Sequence, residues 1–375
     1  MSNKHINNKS SLLMILTFAL ILTFSVNFIS CSGTEWKMRS TGSRYIEGLK
    51  TFVKFTAYTS SEKEFEEYRE LIQNIIDNNA PIVSIYISGG EANRINKKAG
   101  KEEIKLSDEM ESLIKKCLHY SKLTDGAFDI TIKPVFDLWQ IKERTEKYIN
   151  DNDSKLDYPS AKEIKEKLEL VGYEKIRLKE GKISFTKEGV QILLGGVAKG
   201  YILDKIRRAL IDKGLKSGIL EAGGDIIIFG NKPEGDLWKI GLRNPRPDSE
   251  SLGHIKNYKS VIYGLEIEAK TVVTSGDYEQ YYVDKEGNLR HHIIDPETGY
   301  PAEPVISATV TADSVIDADI LSTAIFVMGP DKGTKLIETM PGIESLIIYR
   351  QGEGDNYRIR KSSGFDKYIA VRPEK

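Results

Sequence analysis

The sequence predicts an α+β fold, a single mixed α/β domain that could comprise two lobes. Helix-like and strand-like patterns both occur, but they do not follow the strict strand–helix alternation of a parallel α/β sheet. The second half consists largely of short β-prone runs separated by turns. No linker divides the chain after its first 47 residues.

Composition narrows the function classes. The chain has 375 residues, of which 40% are hydrophobic and 29% charged, as in ordinary globular proteins. The formal net charge of −1 argues against a protein that binds nucleic acid through bulk charge. Two cysteines are too few for a disulfide scaffold or a thiolate zinc site.

The N-terminus predicts export and a membrane anchor. Residues 1–30 begin with basic side chains and continue as an uncharged, apolar stretch. Because Cys31 follows directly, the segment resembles a bacterial lipoprotein signal peptide with Cys31 as the lipidated residue; an uncleaved membrane anchor is the alternative. Both readings place the chain outside the cytoplasm, at the periplasmic face of a bacterial membrane. Residues 31–47 are polar and predict a tether to a domain over 48–375.

The first half of that domain begins with a predicted strand, Thr51–Tyr58, which is rich in β-branched and aromatic residues. Ser61-x-x-Glu64 then resembles a capping box that opens a helix. Further elements are predicted in this order: a helix over about 107–123, a charged surface excursion over 141–160, a helix over Lys162–Leu170, strands near 175–178, 183–185 and 190–194, and a helix over Ala198–Lys213.

The second half contains seven β-prone runs and one helix. The helix, about Val315 to Val327, is apolar and ends at Gly329-Pro330. The predicted strands are Asp225–Phe229, Trp238–Leu242, Val261–Ile267, Thr271–Thr274, Tyr281–Asp284, Val305–Thr311 and Ser345–Tyr349.

Two small-residue turns are candidate ligand sites. The first, Thr124 to Thr131 (TDGAFDIT), could hold a ring or ribose edge beside Asp129, or could be an ordinary turn. The second, Leu194 to Tyr201 (LGGVAKGY), enters a helix, so its backbone N–H groups and Lys199 favour an anion. A purely structural turn is the alternative there. The spacing is not that of a P-loop or of a dinucleotide fingerprint.

Two further segments carry side chains suited to catalysis. His291 and His292 are adjacent on a β-prone run, so they point to opposite faces and we expect one to face a pocket; a solvated strand end is the alternative. Asp319 and Thr323 are four residues apart on the late helix and therefore share a face. Such a pair suits a hard cation such as Mg²⁺, although the Thr hydroxyl could instead bond within its own helix.

Together, in this order, the segments resemble the ApbE-type FAD:protein FMN transferases over roughly residues 48 to 350. The matching stretches are TDGAFDIT, GGVAKGYILD, EAGGD, TSGDYEQYY, HHIIDPETGYP and DADILSTAIFVMG. The resemblance implies a flavin transferase fold and a Mg²⁺-dependent enzyme. Its substrate would be FAD, whose FMN moves to a Thr or Ser hydroxyl of an acceptor protein with release of AMP.

The resemblance also implies roles for individual residues. The catalytic residues would be His292, Asp319 and Lys199. The metal would be held by Gly196, Asp319 and Thr323. The flavin nucleotide would contact Leu49, Tyr86, Ala127, Phe128, Asp129, Lys199 and Ile293.

The chain departs from the family pattern at three places. Leu49-Lys50-Thr51 replaces the usual Met-Gly-Thr, Leu193 stands where an Asp often opens the glycine turn, and Gly90-Glu91 replaces a Ser-Glu pair. Two alternatives therefore stay open. The chain could be an FAD pyrophosphatase that yields FMN and AMP, or a non-enzymatic FAD-binding lipoprotein. The expected acceptor is a subunit of a membrane redox complex.

Overall fold

The computed structural model describes residues 36–49, 51–151, 156–246, 261–352 and 357–371. The predicted signal peptide and Cys31 lie outside these residues. The helices are α1 (Glu62–Val83), α2 (Glu91–Lys98), α3 (Asp108–Leu123), α4 (Lys133–Trp139), α5 (Ile141–Asp151), α6 (Ala161–Leu168), α7 (Ala198–Asp212) and α8 (Val315–Glu338). In the part of the chain that is described, no helix has the length and apolar character needed to span a membrane.

The strands form one large sheet and three small ones. They are β1 (Lys37–Ser40), β2 (Arg44–Ile46), β3 (Thr51–Thr59), β4 (Ile104–Lys105), β5 (Ile176–Lys179), β6 (Lys182–Phe185), β7 (Gly218–Ala222), β8 (Asp225–Phe229), β9 (Trp238–Arg243), β10 (Val261–Ile267), β11 (Thr271–Gly276), β12 (Tyr281–Val283), β13 (Leu289–His291), β14 (Val305–Ala312), β15 (Glu344–Arg350), β16 (Tyr357–Lys361) and β17 (Ile369–Val371).

The large sheet has the order β1-β3-β7-β8-β11-β14-β15-β16, and β2 also pairs with β3. All of its pairings are antiparallel. β14 lies between β11 and β15 with all eight residues buried, as expected for a central strand covered on both faces. Because helices and antiparallel sheets are segregated in this way, the α+β prediction is confirmed.

The two faces of the large sheet pack against different layers. Helices α1, α7 and α8 cover one face and form the main core with it. The small sheet β17-β10-β9 covers the other face and forms a second core. β15 shows the alternation, since Ile347 lies in the main core while Leu346 and Ile348 lie in the second.

A third core joins α4, α5 and α6 to the β12–β13 hairpin. At its centre Trp139 is fully buried and donates from Nε1 to the Gly299 carbonyl at 2.7 Å. Arg290 lies over the Trp139 ring and donates from Nε to the buried Asp284 carboxylate at 2.7 Å. This packing fixes the hairpin whose end carries the two adjacent histidines.

One prediction of secondary structure is wrong in the middle of the chain. Residues 190–194 do not form a strand, because the side chain of Asn96 takes the place of a strand partner: it accepts from Ile192 N at 2.7 Å and donates to Ile192 O at 2.8 Å. The charged stretch predicted as a surface excursion over 141–160 begins with helix α5, which is mostly exposed although its first residue, Ile141, is buried in the third core.

The structure differs from prediction at two other places. Residues 37–46, expected to be tether, form β1 and β2, which pair with β3. Ser61 does cap α1 by accepting from Glu64 N, but the Glu64 carboxylate reaches back to Ser60 rather than to Ser61. The end predicted for the late helix at Gly329-Pro330 is confirmed: Gly329 has the non-helical angles φ 82° and ψ 173°, and a second helical segment follows this kink up to Glu338.

Candidate active site

The glycine turn before α7 lies against both the late helix and the turn after α3. Buried Leu194 and Val197 anchor the turn, and Ala198 N donates to the Leu194 carbonyl at 2.7 Å. A methyl group placed on Gly196 would lie 3.3 Å from Thr323 Oγ1 and 3.4 Å from Phe128 Cε2. Three residues that the sequence predicts for the site, Gly196, Thr323 and Phe128, are therefore neighbours.

The first turn of α7 packs directly on α8 at Asp319. Gly200 N donates to Asp319 Oδ2 at 2.7 Å. A methyl group on Gly200 would approach Asp319 Cβ to 2.7 Å, so only glycine allows this contact. The buried Asp319 carboxylate thus has one oxygen held by the backbone and the other, Oδ1, directed to the neighbouring side chains.

Lys199 joins two carboxylates at this point. Its ammonium forms an ion pair with Asp225, at the start of β8, and lies 3.9 Å from Asp319 Oδ1. Burial opposes charge on Lys199, but the two carboxylates outweigh it and raise the pKa of the ammonium. Burial raises the pKa of Asp225, and the ion pair with Lys199 opposes this shift and favours the charged carboxylate.

Thr323 presents its hydroxyl to the end of β11. Thr323 Oγ1 lies 3.4 Å from Ser275 Oγ, which is also 2.9 Å from Ser322 Oγ. It is Ser322 whose hydroxyl donates to the helix carbonyl of Asp319, at 2.9 Å. Ser322 therefore makes the hydrogen bond within α8 that was considered for Thr323, and the Thr323 hydroxyl faces Ser275 of β11.

The side-chain oxygen atoms of this region are of the kind that a hard divalent cation binds. They are Asp319 Oδ1 and the hydroxyls of Thr323 and Ser275, and Gly196 lies beside Thr323. Carboxylate, hydroxyl and carbonyl oxygens are the ligands that Mg²⁺ prefers. In the described part of the chain no group of three or more His, Cys, Asp or Glu side chains could hold a metal. The candidate site is thus a mixed one with a single carboxylate ligand.

The two adjacent histidines have different surroundings. His291 is buried, its Nε2 lies 3.0 Å from the Ala302 carbonyl, and its Nδ1 accepts from Ile293 N at 3.3 Å. Both ring nitrogens are therefore used within the protein. His292 is half-buried, and its Nδ1 has no hydrogen-bond partner among the described residues. Burial, with a smaller contribution from Lys199, lowers the pKa of His292 to about 4.

The turn after α3 is held by its own side chains. Thr124 Oγ1 accepts from Phe128 N at 3.1 Å. Asp129 Oδ1 accepts from the backbone N and from the hydroxyl of Thr131, both at 2.7 Å, and so caps a short 3₁₀ helix. Burial raises the pKa of Asp129. Half-buried Ala127 precedes the buried Phe128, so this turn presents a backbone edge and a ring beside the glycine turn.

The other predicted nucleotide contacts lie on separate elements. Leu49 ends a short 3₁₀ turn before β3 and is partly buried against the main core. Tyr86 follows α1, and 68% of it is exposed. Ile293 is buried, and its carbonyl accepts from Ala302 N at 2.9 Å.

Comparison with known proteins identifies the family. The sequence model described as the ApbE family matches residues 49–347, which is more than half of the chain. The chain belongs to the ApbE family. ApbE relatives named FAD:protein FMN transferase include one from Klebsiella pneumoniae (strain 342), 30% identical over 257 residues that cover 68% of this chain and 73% of the relative. Another, from Treponema pallidum (strain Nichols), is 28% identical over 294 residues, 74% of each chain.

Solved structures of ApbE proteins share this fold. The crystal structure of the ApbE protein from Thermotoga maritima has a TM-score of 0.74 and 32% identity, and the match covers 90% of this chain and 100% of that one. The flavin transferase ApbE from Vibrio cholerae has a TM-score of 0.71, with coverage of 89% and 99%. At 24% identity the second match speaks for the fold alone.

Two side chains of this ApbE-family site were not among the residues predicted for it. In the sequence, Asp225 ends the EAGGD stretch and begins a predicted strand, and a carboxylate directly after two glycines and at the start of a strand is a usable signal. Ser275 lies in the Thr274-Ser275-Gly276 stretch, where small residues at a strand end allow close approach. Their proximity to Lys199 and Thr323 depends on contacts 26 and 48 residues apart in sequence.

Proposed function

We propose that this chain is a Mg²⁺-dependent FAD:protein FMN transferase, which moves FMN from FAD to a Thr or Ser hydroxyl of an acceptor flavoprotein and releases AMP. The observation that carries the proposal is the meeting of Asp319, Thr323 and Gly196 beside Lys199. One anion-binding turn, one cationic side chain and one set of hard oxygen ligands are what the cleavage of a pyrophosphate requires. The family membership and the names of the relatives support the same activity.

The glycine turn and Lys199 would bind the pyrophosphate. The Lys199 ammonium lies on the first turn of α7, where Ala198 N and Gly200 N already donate to the Leu194 carbonyl and to Asp319 Oδ2. This ammonium favours phosphate oxygens through charge and hydrogen bonding. Asp319, Thr323 and Gly196 would hold the metal, which supplies charge neutralisation on the phosphates when bound.

His292 is the candidate proton acceptor. With its pKa lowered to about 4, the imidazole is neutral near pH 7. The acceptor hydroxyl oxygen would form a bond to the phosphorus of the FMN half, while the bond from that phosphorus to the bridging oxygen breaks and AMP leaves. A ring nitrogen of His292 would take the hydroxyl proton. Bound phosphates would raise the histidine pKa towards neutrality and so assist this transfer.

A direct assay separates this activity from its two alternatives. The chain from Gly33 onwards is incubated with FAD, Mg²⁺ and a candidate acceptor, and the products are separated on a denaturing gel and by chromatography. Covalent yellow fluorescence on the acceptor is the expected result. Free FMN and AMP without labelled acceptor would indicate a pyrophosphatase, and intact, tightly held FAD would indicate a binding protein.

A matched pair of variants on one helix tests the metal site. Asp319→Ala removes the free carboxylate oxygen, so flavin transfer should fall by about 100-fold or more. Asp331→Ala changes a 78% exposed residue of α8, whose partner is Arg360, and should leave transfer unchanged. Unchanged turnover in Asp319→Ala would remove the proposed metal site.

We also propose that the chain is a lipoprotein that is anchored through Cys31 at the periplasmic side of a bacterial membrane, which would bring it near a redox-complex subunit as acceptor. The support is the sequence of residues 1–31. Replacement of Cys31 by Ser should abolish labelling with a radioactive fatty acid and block maturation of the precursor. A wild-type chain that takes up no fatty-acid label, together with a Cys31→Ser chain of the same length that fractionates in the same way, would favour the uncleaved anchor.

A further inference from the structure

Lys199, Asp225 and Asp319 lie on one wall of the site, and the Lys199 ammonium is closer to Asp225 than to Asp319. Asp225 is 1% exposed, and its Oδ2 forms the ion pair with the Lys199 ammonium. The same ammonium is 3.9 Å from Asp319 Oδ1, beyond hydrogen-bonding distance. Lys199 therefore pairs with Asp225, although Asp319 Oδ1 lies only about one ångström beyond hydrogen-bonding distance.

Asp319 Oδ1, which Lys199 does not contact, is the oxygen that a cation would need. Asp319 Oδ2 is occupied by Gly200 N at 2.7 Å. Oδ1 is thus the oxygen of Asp319 that remains for a metal. A lysine ammonium is a compact charge on a flexible stem, and a small rotation of its last bonds would place it on Oδ1. Such a contact would put a fixed positive charge where the cation binds.

We propose that Asp225 is a positioning residue that holds the Lys199 ammonium away from Asp319 Oδ1 and so keeps that oxygen available to the divalent cation. The inference rests on the metal site of the proposed function. Asp225 suits this role because it begins a buried strand of the large sheet, and its second oxygen, Oδ1, has no hydrogen-bond partner among the described residues. Its buried charge therefore depends on Lys199 for compensation.

The test measures the binding of Mn²⁺, used alone as the probe, by the electron paramagnetic resonance signal of the free ion. Four proteins are compared: the wild type, Asp225→Asn, Lys199→Met and the double variant. Asp225→Asn should weaken Mn²⁺ binding about tenfold, or about 1.4 kcal/mol, because the released ammonium moves to Asp319. In the Lys199→Met background the same change should alter binding by less than about twofold.

The double-mutant cycle separates a positioning role from a plain effect of charge. If Asp225→Asn weakens Mn²⁺ binding equally with and without Lys199, Asp225 acts through its own charge and the inference is wrong. Near-ultraviolet circular dichroism checks the fold of each variant. Asp225→Ser is the second replacement, with the same expectation should the asparagine variant be unstable.

Asp319→Asn distinguishes failure of the inference from failure of the proposed function. If the wild type binds Mn²⁺ and Asp319→Asn does not, the metal site stands whatever the cycle shows. If Asp319→Asn binds Mn²⁺ as tightly as the wild type, the metal is not at Asp319, and both the site and the role of Asp225 are overturned.

Discussion

The contact between α7 and α8 at Gly200 makes a prediction that can be worked from distances. Replacing Gly200 by Ala adds one methyl group at a helical position. That methyl would lie 2.7 Å from Asp319 Cβ and 2.9 Å from both Asp319 Oδ2 and the Ile316 Cα. Favourable contacts between carbon atoms lie at about 3.5–4.0 Å. The two helices would therefore have to separate by up to about 1 Å.

Two opposing terms decide the stability of the Gly200→Ala variant. Overpacking of a tight core contact costs typically 1–3 kcal/mol. A change from glycine to alanine within a helix stabilises the helix by up to about 1 kcal/mol. The cost of overpacking should exceed this gain in helix propensity, so we expect the free energy of unfolding to fall by about 1–2 kcal/mol.

The effect on activity should be larger than the effect on stability. The methyl group displaces Asp319 and strains its hydrogen bond from Gly200 N. Since a misplacement of about 1 Å can cost about 100-fold in rate, flavin transfer should fall by one to two orders of magnitude. Urea unfolding and the gel assay of flavin transfer measure the two quantities.

Gly195→Ala is the matched control. It lies in the turn that precedes α7, and the nearest atom to its added methyl group is Leu193 Cγ at 3.9 Å, which is ordinary contact. It serves as a control for stability, and its free energy of unfolding should stay close to that of the wild type. If Gly200→Ala were as stable as Gly195→Ala, the close packing of α7 on α8 would be refuted.

Three further predictions concern single side chains. Burial lowers the pKa of His291 to about 3, so below pH 6.5 the unfolded chain takes up a proton that the folded chain does not, and stability is lost as the pH falls. Relative to His291→Gln, the wild type should therefore lose about 2 kcal/mol in its free energy of unfolding by urea between pH 7.5 and pH 5. A difference between the two proteins that stays constant with pH would contradict this. Asp284→Asn removes the buried carboxylate that accepts from half-buried Arg290, and it should cost about 1–3 kcal/mol by thermal or urea unfolding. A loss below about 1 kcal/mol would show that the pair is not structural. Thr323→Val keeps the side-chain shape but removes a proposed ligand, so the Mg²⁺ concentration for half-maximal transfer should rise about tenfold or more; an unchanged Mg²⁺ titration would exclude Thr323 as a ligand.

Local sequence pattern predicted the regular elements that have strong periodicity and clear ends. The helix over Ala198–Lys213 and the late helix from Val315 are both present, because apolar residues recur on one helical face and glycine or a capping serine marks an end. The strand Val305–Thr311 is likewise present as β14. Elements whose backbone partners are distant were harder to predict. Residues 190–194 read as a strand but are satisfied by the amide of Asn96.

The sequence by itself determined the class of fold, the order of the motifs and the residue types that can bind an anion and a hard cation. Those features depend on neighbours within a few positions, such as the glycines before α7 or the four-residue spacing of Asp319 and Thr323. Only the tertiary structure decided which oxygen of Asp319 is free and which carboxylate holds Lys199. These choices depend on distances between α7, α8 and β8, and no local pattern encodes them because they arise where separate elements pack together.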